Sequence, residues 1–422
     1  MSGFDADVIL SGGGLVGQTL ALALDSAGIS VIVVDAATPA ETLAADFDGR
    51  AFAIAFASYR MWRALGLAED LDQVAQPIEQ IMVTDGRLGS GARRGGASLL
   101  HLHFDRAELH DSDEPLGLML EARHVRLALD RAVKARPSIK VIAPMAVSDF
   151  ERDAAGVSVA LADGRKLRAN LLVGTDGRKS LVRQRVGIRT IGWDYPATAI
   201  VATILHEKEH GALAHEFFLP GGPFAILPLR TNEKGHRSNI VWAEKHAVAD
   251  ALLRLPKADF LAELRLRFGD FLGALDLEGP RFGYPLSLQL AERMIDARVA
   301  LAGDSAHGIH PLAGQGLNLG LKDAAALAES VADAVAVGLD CGDTAALERY
   351  QRWRRFDNVS MALGMEFFDK LFSNDIAPLR AVRGLGLGLV NQIGPARRFF
   401  MRYAGGAAGD LPKLLRGESL AA

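Results

Sequence analysis

The sequence contains a single cysteine, Cys341, among its 422 residues. One cysteine cannot form an intramolecular disulfide or a cysteine-rich zinc or iron–sulfur site, and this favours a reducing compartment. No apolar run reaches the roughly 18 uninterrupted residues of a membrane-spanning helix. The first apolar run follows Asp5 and Asp7, where a secretory signal would carry basic residues. We therefore expect a cytoplasmic protein, either free or held peripherally at the inner membrane face.

The chain also lacks an excess of charge of one sign. Lys and Arg together number 47 and Asp and Glu 51, which gives a formal net charge of −4. A slightly acidic chain has no general electrostatic attraction for nucleic acid. Hydrophobic residues make up 49% and charged residues 23%, which excludes a disordered protein. The length predicts two or three domains.

A glycine-rich turn near the N-terminus has the spacing of a dinucleotide-binding motif. Gly12, Gly14 and Gly17 form G-x-G-x-x-G after the apolar run Val8–Leu10. The first glycine permits a tight turn, the second lets a diphosphate approach the backbone, and the third lets the helix pack on the strand. The motif predicts a dinucleotide site but does not distinguish NAD from FAD.

The residues after this turn support the same prediction. Leu15 and Val16 open a helical pattern that ends before Gly28, and the free N–H groups of a helix N-terminus favour phosphate. A second apolar strand, Val31–Val34, leads directly to Asp35. This acid stands about where the motif places a carboxylate against a ribose hydroxyl.

Two later apolar strands also end beside an aspartate. Residues 171–174 lead to Asp176-Gly177, and residues 299–302 lead to Gly303-Asp304. A glycine-rich segment follows Asp304, and a helical pattern then runs on through Asp323. In order and separation, these motifs and the first glycine turn resemble those of the class A flavoprotein aromatic hydroxylases.

Two segments make the resemblance more specific. The stretch from His310 to Asp323, H-P-L-A-G-Q-G-L-N-L-G-L-K-D, is similar to the signature of the ubiquinone-biosynthesis hydroxylase subgroup, as is Asp48-Gly49-Arg50-Ala51. The resemblance covers nearly the whole chain. It implies an α/β fold, with a Rossmann-like FAD-binding domain, an inserted antiparallel-sheet substrate domain and a helical C-terminal region.

Period-two patterns and Gly-Pro turns between the motifs favour an antiparallel sheet in the inserted domain. The expected FAD-binding domain is discontinuous and comprises residues 1–75, 105–185 and 290–345. The substrate-binding sheet domain comprises residues 76–104 and 186–289, and the C-terminal helical region comprises residues 346–422. Pocket residues expected in this sheet, for which ordinary core packing is the alternative, are Phe224, Leu227, Pro228 and Trp242.

The resemblance, together with the glycine turn, gives a set of expected FAD-binding residues: Gly12, Gly14, Leu15, Val16, Gly17, Asp35, Arg50, Arg123, Asp176, Asp304, Gly316, Leu317 and Asn318. Three of these have open alternatives. Arg50 could be an exposed cation, Asp176 could cap the helix that follows it, and the position aligned with Arg123 could be Ala122.

The same resemblance gives the expected catalytic residues: His310, Pro311, Gly314, Gln315 and Gly316. The glycines let the backbone come close to a flavin ring. His310 suits acid–base chemistry on a phenol because imidazole titrates near neutrality, although a structural hydrogen bond before Pro311 is the alternative. The scattered histidines lack ligand spacing, so no metal site is expected.

The expected function is FAD-dependent monooxygenation of the aromatic ring of a polyprenyl phenol in ubiquinone biosynthesis, through a flavin C4a-hydroperoxide. NAD(P)H or a separate reductase would supply electrons, and O₂ is the co-substrate. The alternatives are hydroxylation of a small soluble phenol and a non-catalytic FAD-bound scaffold of a quinone-synthesis complex. Residues 376–409 contain no acid, and a membrane surface or such a complex could contact this region.

Overall fold

The computed structural model describes residues 3–44, 49–85, 101–109, 113–219, 221–308, 315–372, 394, 398, 401, 405–407 and 409–421. For residues 85 and 362–372 it describes the backbone alone. The helices have these bounds: α1 (Leu15–Asp25), α2 (Pro39–Thr42), α3 (Phe56–Ala64), α4 (Ala68–Leu71), α5 (Ala122–Lys134), α6 (Leu181–Arg185), α7 (His246–Arg254), α8 (Lys257–Phe268), α9 (Gln315–Ala336) and α10 (Thr344–Phe372).

The strands have these bounds: β1 (Val8–Ser11), β2 (Val31–Val34), β3 (Ala51–Ala55), β4 (Gln76–Ile78), β5 (Gln80–Asp85), β6 (His101–Asp105), β7 (Gly117–Glu121), β8 (Ile139–Ile142), β9 (Val147–Arg152), β10 (Val157–Leu161), β11 (Lys166–Ala169), β12 (Leu171–Gly174), β13 (Thr190–His206), β14 (Leu213–Leu219), β15 (Gly222–Asn232), β16 (Gly235–Lys245), β17 (Leu275–Ala291), β18 (Ile295–Asp296), β19 (Val299–Leu301) and β20 (His307–Gly308). Short 3-10 helices cover Arg106–Glu108, Gly303–Ser305 and Lys413–Arg416.

A six-stranded sheet forms the first half of the architecture, in the order β18-β19-β12-β1-β2-β8. Its strands are parallel except for the antiparallel pair β18 and β19. All residues of β1, β2 and β12 are buried, as expected for a parallel sheet covered on both faces. The carboxyl ends of β1, β2, β12 and β19 lead to the four motif regions identified from the sequence.

An eight-stranded sheet forms the second half, in the order β20-β17-β13-β16-β15-β14-β5-β6. All neighbouring strands are antiparallel except β14 and β5, which are parallel. One face of the sheet packs against α7 and α8 around a separate apolar core. Its edge strand β20 comes directly after the 3-10 helix that contains Asp304 and pairs with β17.

The two sheets confirm the predicted α/β fold class, with a Rossmann-like parallel sheet and a largely antiparallel second sheet. Helix α10 packs on α9 at the C-terminal side. None of the described helices has the length and apolar character needed to cross a membrane. The proposed boundaries of the three regions remain a prediction.

Candidate active site

A cavity of about 910 Å³ lies between the parallel sheet and the eight-stranded sheet. This volume is at the upper end of the range of roughly 300–1,000 Å³ for small-molecule sites. Its lining combines the glycine turn, the motif after β19, the start of α9 and one face of the eight-stranded sheet. The expected cofactor residues that line it are Gly14, Leu15, Val16, Asp35, Arg50, Asp304, Gly316 and Leu317.

The glycine turn leaves open space at Gly14 and close contacts at its other two glycines. Gly12 has a φ of +109°, and a Cβ atom there would meet the carbonyl of Thr175. A Cβ at Gly17 would overlap the carbonyl oxygen of Gly12. Gly14 is the N-cap of α1, and no atom of the described residues lies within 4 Å of a Cβ built there. The space and the free N–H groups beside Gly14 fit a bound diphosphate.

Two side chains hold this turn in position. Thr175, which follows β12, donates to the carbonyl of Gly12 at 2.7 Å. Asp35 accepts from the N–H of Gly13 at 2.5 Å and from that of Ala37 at 2.7 Å, and it lines the cavity. Gln18 also lines the cavity, and within the described residues its buried Oε1 atom has no hydrogen-bond partner. This orphaned acceptor is a further indication that a polar group binds here.

Helix α5 contributes a charged face to the same end of the cavity. Arg126, Asp130 and Lys134, spaced four residues apart, line it. Arg123 is exposed and is not among the lining residues, and Ala122 is buried. Arg126 was not among the FAD-binding residues expected from the sequence. The spacing of charged residues along this one helix could have indicated it.

Cations and an acid surround the middle of the cavity. The Arg50 guanidinium lies 5.5 Å from the ring centres of both Phe52 and Tyr284. The side chain of Asp304 is half-exposed, and its Oδ2 lies 3.5 Å from Nε of Arg178. Arg178 and Asp304 come from different motifs, so the structure brings the ends of β12 and β19 to one place. This geometry suits the polar middle of an extended cofactor.

Two of the expected cofactor-binding residues do not line the cavity and instead make hydrogen bonds within the protein. Asp176 accepts from the N–H groups of Leu181 at 2.8 Å and Val182 at 3.2 Å, so it caps α6. Burial raises the pKa of Asp176, against the effect of these hydrogen bonds. Asn318 accepts from Ala55 N–H at 2.9 Å and donates to Ala53 C=O at 2.9 Å, which ties α9 to β3.

The expected catalytic segment is only partly described. His310, Pro311 and Gly314 lie outside the described residues. Gln315 is the first residue of α9, and Gly316, next to it, lines the cavity. The beginning of α9 therefore lies at the cavity, where its N–H groups could stabilise negative charge on a bound ring.

One face of the eight-stranded sheet forms the opposite wall. Its lining residues are Ala199, Val201, Glu216, Pro223, Ala225, Leu227, Asn239, Val241, Ala243, Tyr284, Pro285 and Leu286. Most of these side chains are small or apolar, which leaves room for a hydrophobic ligand. Asn239 is polar, and Glu216 is the only one of them with an ionisable carboxyl group. Sequence reasoning missed Glu216; an acid inside the apolar strand pattern of β14 was the available signal.

Of the four expected pocket residues, Leu227 lines the cavity. The structure places the other three away from this lining. Phe224 and Trp242 are fully buried on the other face of the sheet, and their rings contact edge-to-face at 6.1 Å between centres. They belong to the core under α7 and α8. Pro228 is buried and is likewise absent from the lining. Adjacent strand residues point to opposite faces, so Ala225 lines the cavity and Phe224 does not.

A buried charge cluster supports the segment that contains Asp304. Asp323 of α9 is fully buried; it accepts from His307 Nε2 at 2.5 Å, Arg354 Nε at 2.9 Å and Gly303 N–H at 3.0 Å. Burial alone would raise the pKa of Asp323, but His307 and Arg354 lower it to about 2. Asp323 therefore stays ionised and fixes both ends of the 303–308 segment.

The described part of the chain contains no group of three or more His, Cys, Asp or Glu residues that could hold a metal ion.

Comparisons with known proteins identify the family to which the chain is similar. The family model described as FAD binding domain matches residues 5–357. Ubiquinone hydroxylase UbiL of Rhodospirillum rubrum is 46% identical over 98% of this chain and 94% of its own length. The 3-demethoxyubiquinol 3-hydroxylase of Escherichia coli K12 is 32% identical over 96% of this chain and 99% of its own length.

A solved structure has the same fold. The p-nitrophenol 4-monooxygenase PnpA of Pseudomonas putida superposes with a TM-score of 0.77, covering 97% of this chain and 99% of that one. Its sequence identity is 21%, so this likeness concerns the fold alone.

Proposed function

Because this chain belongs to the FAD-dependent aromatic hydroxylases, in the subgroup of ubiquinone biosynthesis, we propose that it hydroxylates the aromatic ring of a polyprenyl phenol. NAD(P)H is the proposed electron donor and O₂ the co-substrate. The observation that carries this proposal is the single cavity that joins the glycine turn to the apolar wall of the eight-stranded sheet. A cofactor and a hydrophobic ring can be held together in such a cavity.

The residues present fit FAD. Gly14 leaves space for the diphosphate, Asp35 lines the same cavity and would accept a hydrogen bond from a ribose hydroxyl, and Gly316 and Leu317 bring the start of α9 to the cavity. Bound FAD, once reduced, supplies the transfer of one oxygen atom from O₂ to the ring. The protein must hold the ring in a reactive position and exclude water, and the apolar side chains of the sheet wall serve both purposes.

The central test is a turnover assay with purified, FAD-loaded protein. We expect a polyprenyl phenol to accelerate NAD(P)H oxidation to about one turnover per second or faster, with an equivalent amount of hydroxylated product measured by mass spectrometry. Equal turnover of a small soluble phenol would instead favour the soluble-phenol alternative. Bound FAD without hydroxylation of any phenol would favour the scaffold and contradict the proposal.

The two faces of β15 provide a second prediction. Phe224→Ala should lower the free energy of unfolding by about 3–5 kcal/mol, because it creates a cavity in the core under α7 and α8. Ala225→Leu should instead fill part of the substrate wall and raise KM for the phenol about tenfold, equivalent to about 1.4 kcal/mol. Chemical denaturation and steady-state kinetics measure the two effects. A change in KM with Phe224→Ala and none with Ala225→Leu would reverse the assignment of the faces.

Membrane association is a further part of the proposal. A polyprenylated substrate partitions into lipid, so the enzyme has to meet it at a membrane surface or receive it from a partner protein. The acid-free stretch 376–409 contains arginines that suit an anionic surface. Co-flotation with anionic vesicles, compared with neutral vesicles of the same size, tests this contact.

A further inference from the structure

Glu216 lies at one end of a row of apolar residues that crosses the cavity wall. Its partner in register on β15 is Ala225, which pairs with Val241 of β16. Val241 pairs in turn with Val201 of β13. All four residues line the cavity. The carboxyl group is therefore the only polar side chain in this row, and it faces the space that the ring substrate would occupy.

Glu216 also differs from other acids of this sheet in having no partner within the described residues. Glu244 contacts Arg267 at 3.2 Å, and Glu278 contacts Arg237 at 2.6 Å. Among the described residues, no hydrogen bond or ion pair to Glu216 is found. No cation of the described part of the chain compensates its charge, and burial raises the pKa of Glu216 to about 8. A buried acid with no described partner in a mostly apolar wall indicates a role with a ligand.

Other ionisable residues lie along this wall and around the cavity. On β5, Asp85 holds the position opposite Phe218, two residues further along both strands than the pair of Glu216 and Val83. Arg50 lies against the ring of Tyr284, which belongs to the sheet wall, and against the ring of Phe52. The charged lining residues of the remaining elements are Asp35, Arg126, Asp130, Lys134, Arg178 and Asp304.

We propose that Glu216 is the catalytic base that takes the phenolic proton of the ring substrate; this inference rests on the proposed function. The phenol O–H bond breaks, its electron pair stays on the ring oxygen, and the proton moves to the Glu216 carboxylate. The ring, now electron-rich, receives the oxygen atom from the FAD-dependent reaction. The C–H proton at the new bond then leaves to solvent, and Glu216 returns its proton to the original ring oxygen.

The environment of Glu216 matches this task. A phenol has a pKa of about 10. Proton transfer to a carboxylate of ordinary pKa, about 4.3, is unfavourable by roughly 10⁵- to 10⁶-fold. Transfer to a carboxylate with a pKa of about 8 is unfavourable by only about 10²-fold. A base is most effective when its pKa lies near the working pH.

The decisive variant is Glu216→Gln, which keeps the shape of the side chain and removes its ionisation. We expect bound FAD and thermal stability to remain at the wild-type level, while hydroxylated product falls about 10²-fold or more. The pH profile of kcat/KM should rise through about pH 8 in the wild type, because the base must be deprotonated. This rise should disappear in Glu216→Gln and persist in the control Glu263→Gln, whose half-exposed carboxyl lies on α8 and pairs with Arg267.

A second measurement does not depend on turnover. Difference infrared spectroscopy of the substrate-free protein should show a protonated carboxyl that titrates near pH 8 and is absent from Glu216→Gln. A Glu216 carboxyl that titrates at the ordinary value would overturn the proposal. So would a wild-type rate and pH profile in Glu216→Gln, or loss of the pH-dependent rise in His310→Ala alone. If the wild type hydroxylates no phenol at all, the proposed function fails before this inference does.

Discussion

The Gly14→Val variant is expected to fold normally and to purify without flavin. Gly14 has an extended backbone with a φ of −69°, which any residue can adopt. In the part of the chain that the structure describes, no atom lies within 4 Å of a Cβ at this position. The added side chain therefore strains nothing in the protein, but it occupies the space in which the diphosphate of FAD would lie. We expect FAD affinity to fall by about 10³-fold or more, equivalent to about 4 kcal/mol, and hydroxylation to be lost with it.

The measurement is the visible spectrum of the purified protein together with a flavin titration. Gly3→Val is a suitable control, because Gly3 also has open space around a Cβ and lies outside the cavity lining. It should retain wild-type flavin content. A yellow, active Gly14→Val protein would contradict the placement of the cofactor along the glycine turn.

The Arg354→Met variant should show a large loss of stability. Arg354 is 2% exposed and donates to the buried carboxylate of Asp323. Its removal leaves an incompletely compensated charge in the interior, which costs about 3–5 kcal/mol in the free energy of unfolding. Arg349→Met is the matched control, since Arg349 lies on the same helix and pairs with Asp333 at the surface. That exposed pair should contribute about 0–1 kcal/mol.

The difference between wild type and Arg354→Met should depend on pH. In the wild type the pKa of Asp323 is lowered to about 2, so its stabilising contribution is complete above the ordinary value and is lost as the pH falls towards 2. In Arg354→Met, weaker compensation raises the pKa of Asp323, and protonation relieves the cost of the buried charge. Denaturation curves should therefore converge as the solution becomes acidic. An equal difference at neutral and acidic pH would show that lost packing, not charge, accounts for the effect.

The parts of the site that follow from local sequence could be predicted. The turn from Gly12 to Gly17 and the strands on either side of it are set by backbone conformation and continuous apolar runs, which neighbouring residues specify. Asp304 likewise follows directly from the apolar strand before it. Such positions require no knowledge of distant contacts, and the structure brings them together because parallel strands place their carboxyl ends at one edge.

The parts of the site that depend on which face a strand turns towards the cavity could not be predicted from the sequence. Over residues 223–229 of β15 and 240–243 of β16 both faces are apolar, since one lines the cavity and the other packs under helices. The usual alternation of polar and apolar residues is therefore absent, and bulky Phe224 and Trp242 resembled pocket residues more than small Ala225 did. The cluster of His307, Asp323 and Arg354 was equally inaccessible, because its members are separated by 16 and 31 residues.

The pairing of β20 with β17 has a consequence for how the enzyme can diversify. Gln289 and Leu290 of the substrate sheet pair with Gly308 and His307, directly before the segment expected to carry the catalytic backbone. The substrate wall and residues 307–308 thus share one hydrogen-bonded ladder, which fixes the point from which that segment starts relative to the wall. Substitution of wall residues such as Leu227 can therefore accommodate new ring substituents or tails. The distance between the wall and the start of the catalytic segment stays the same.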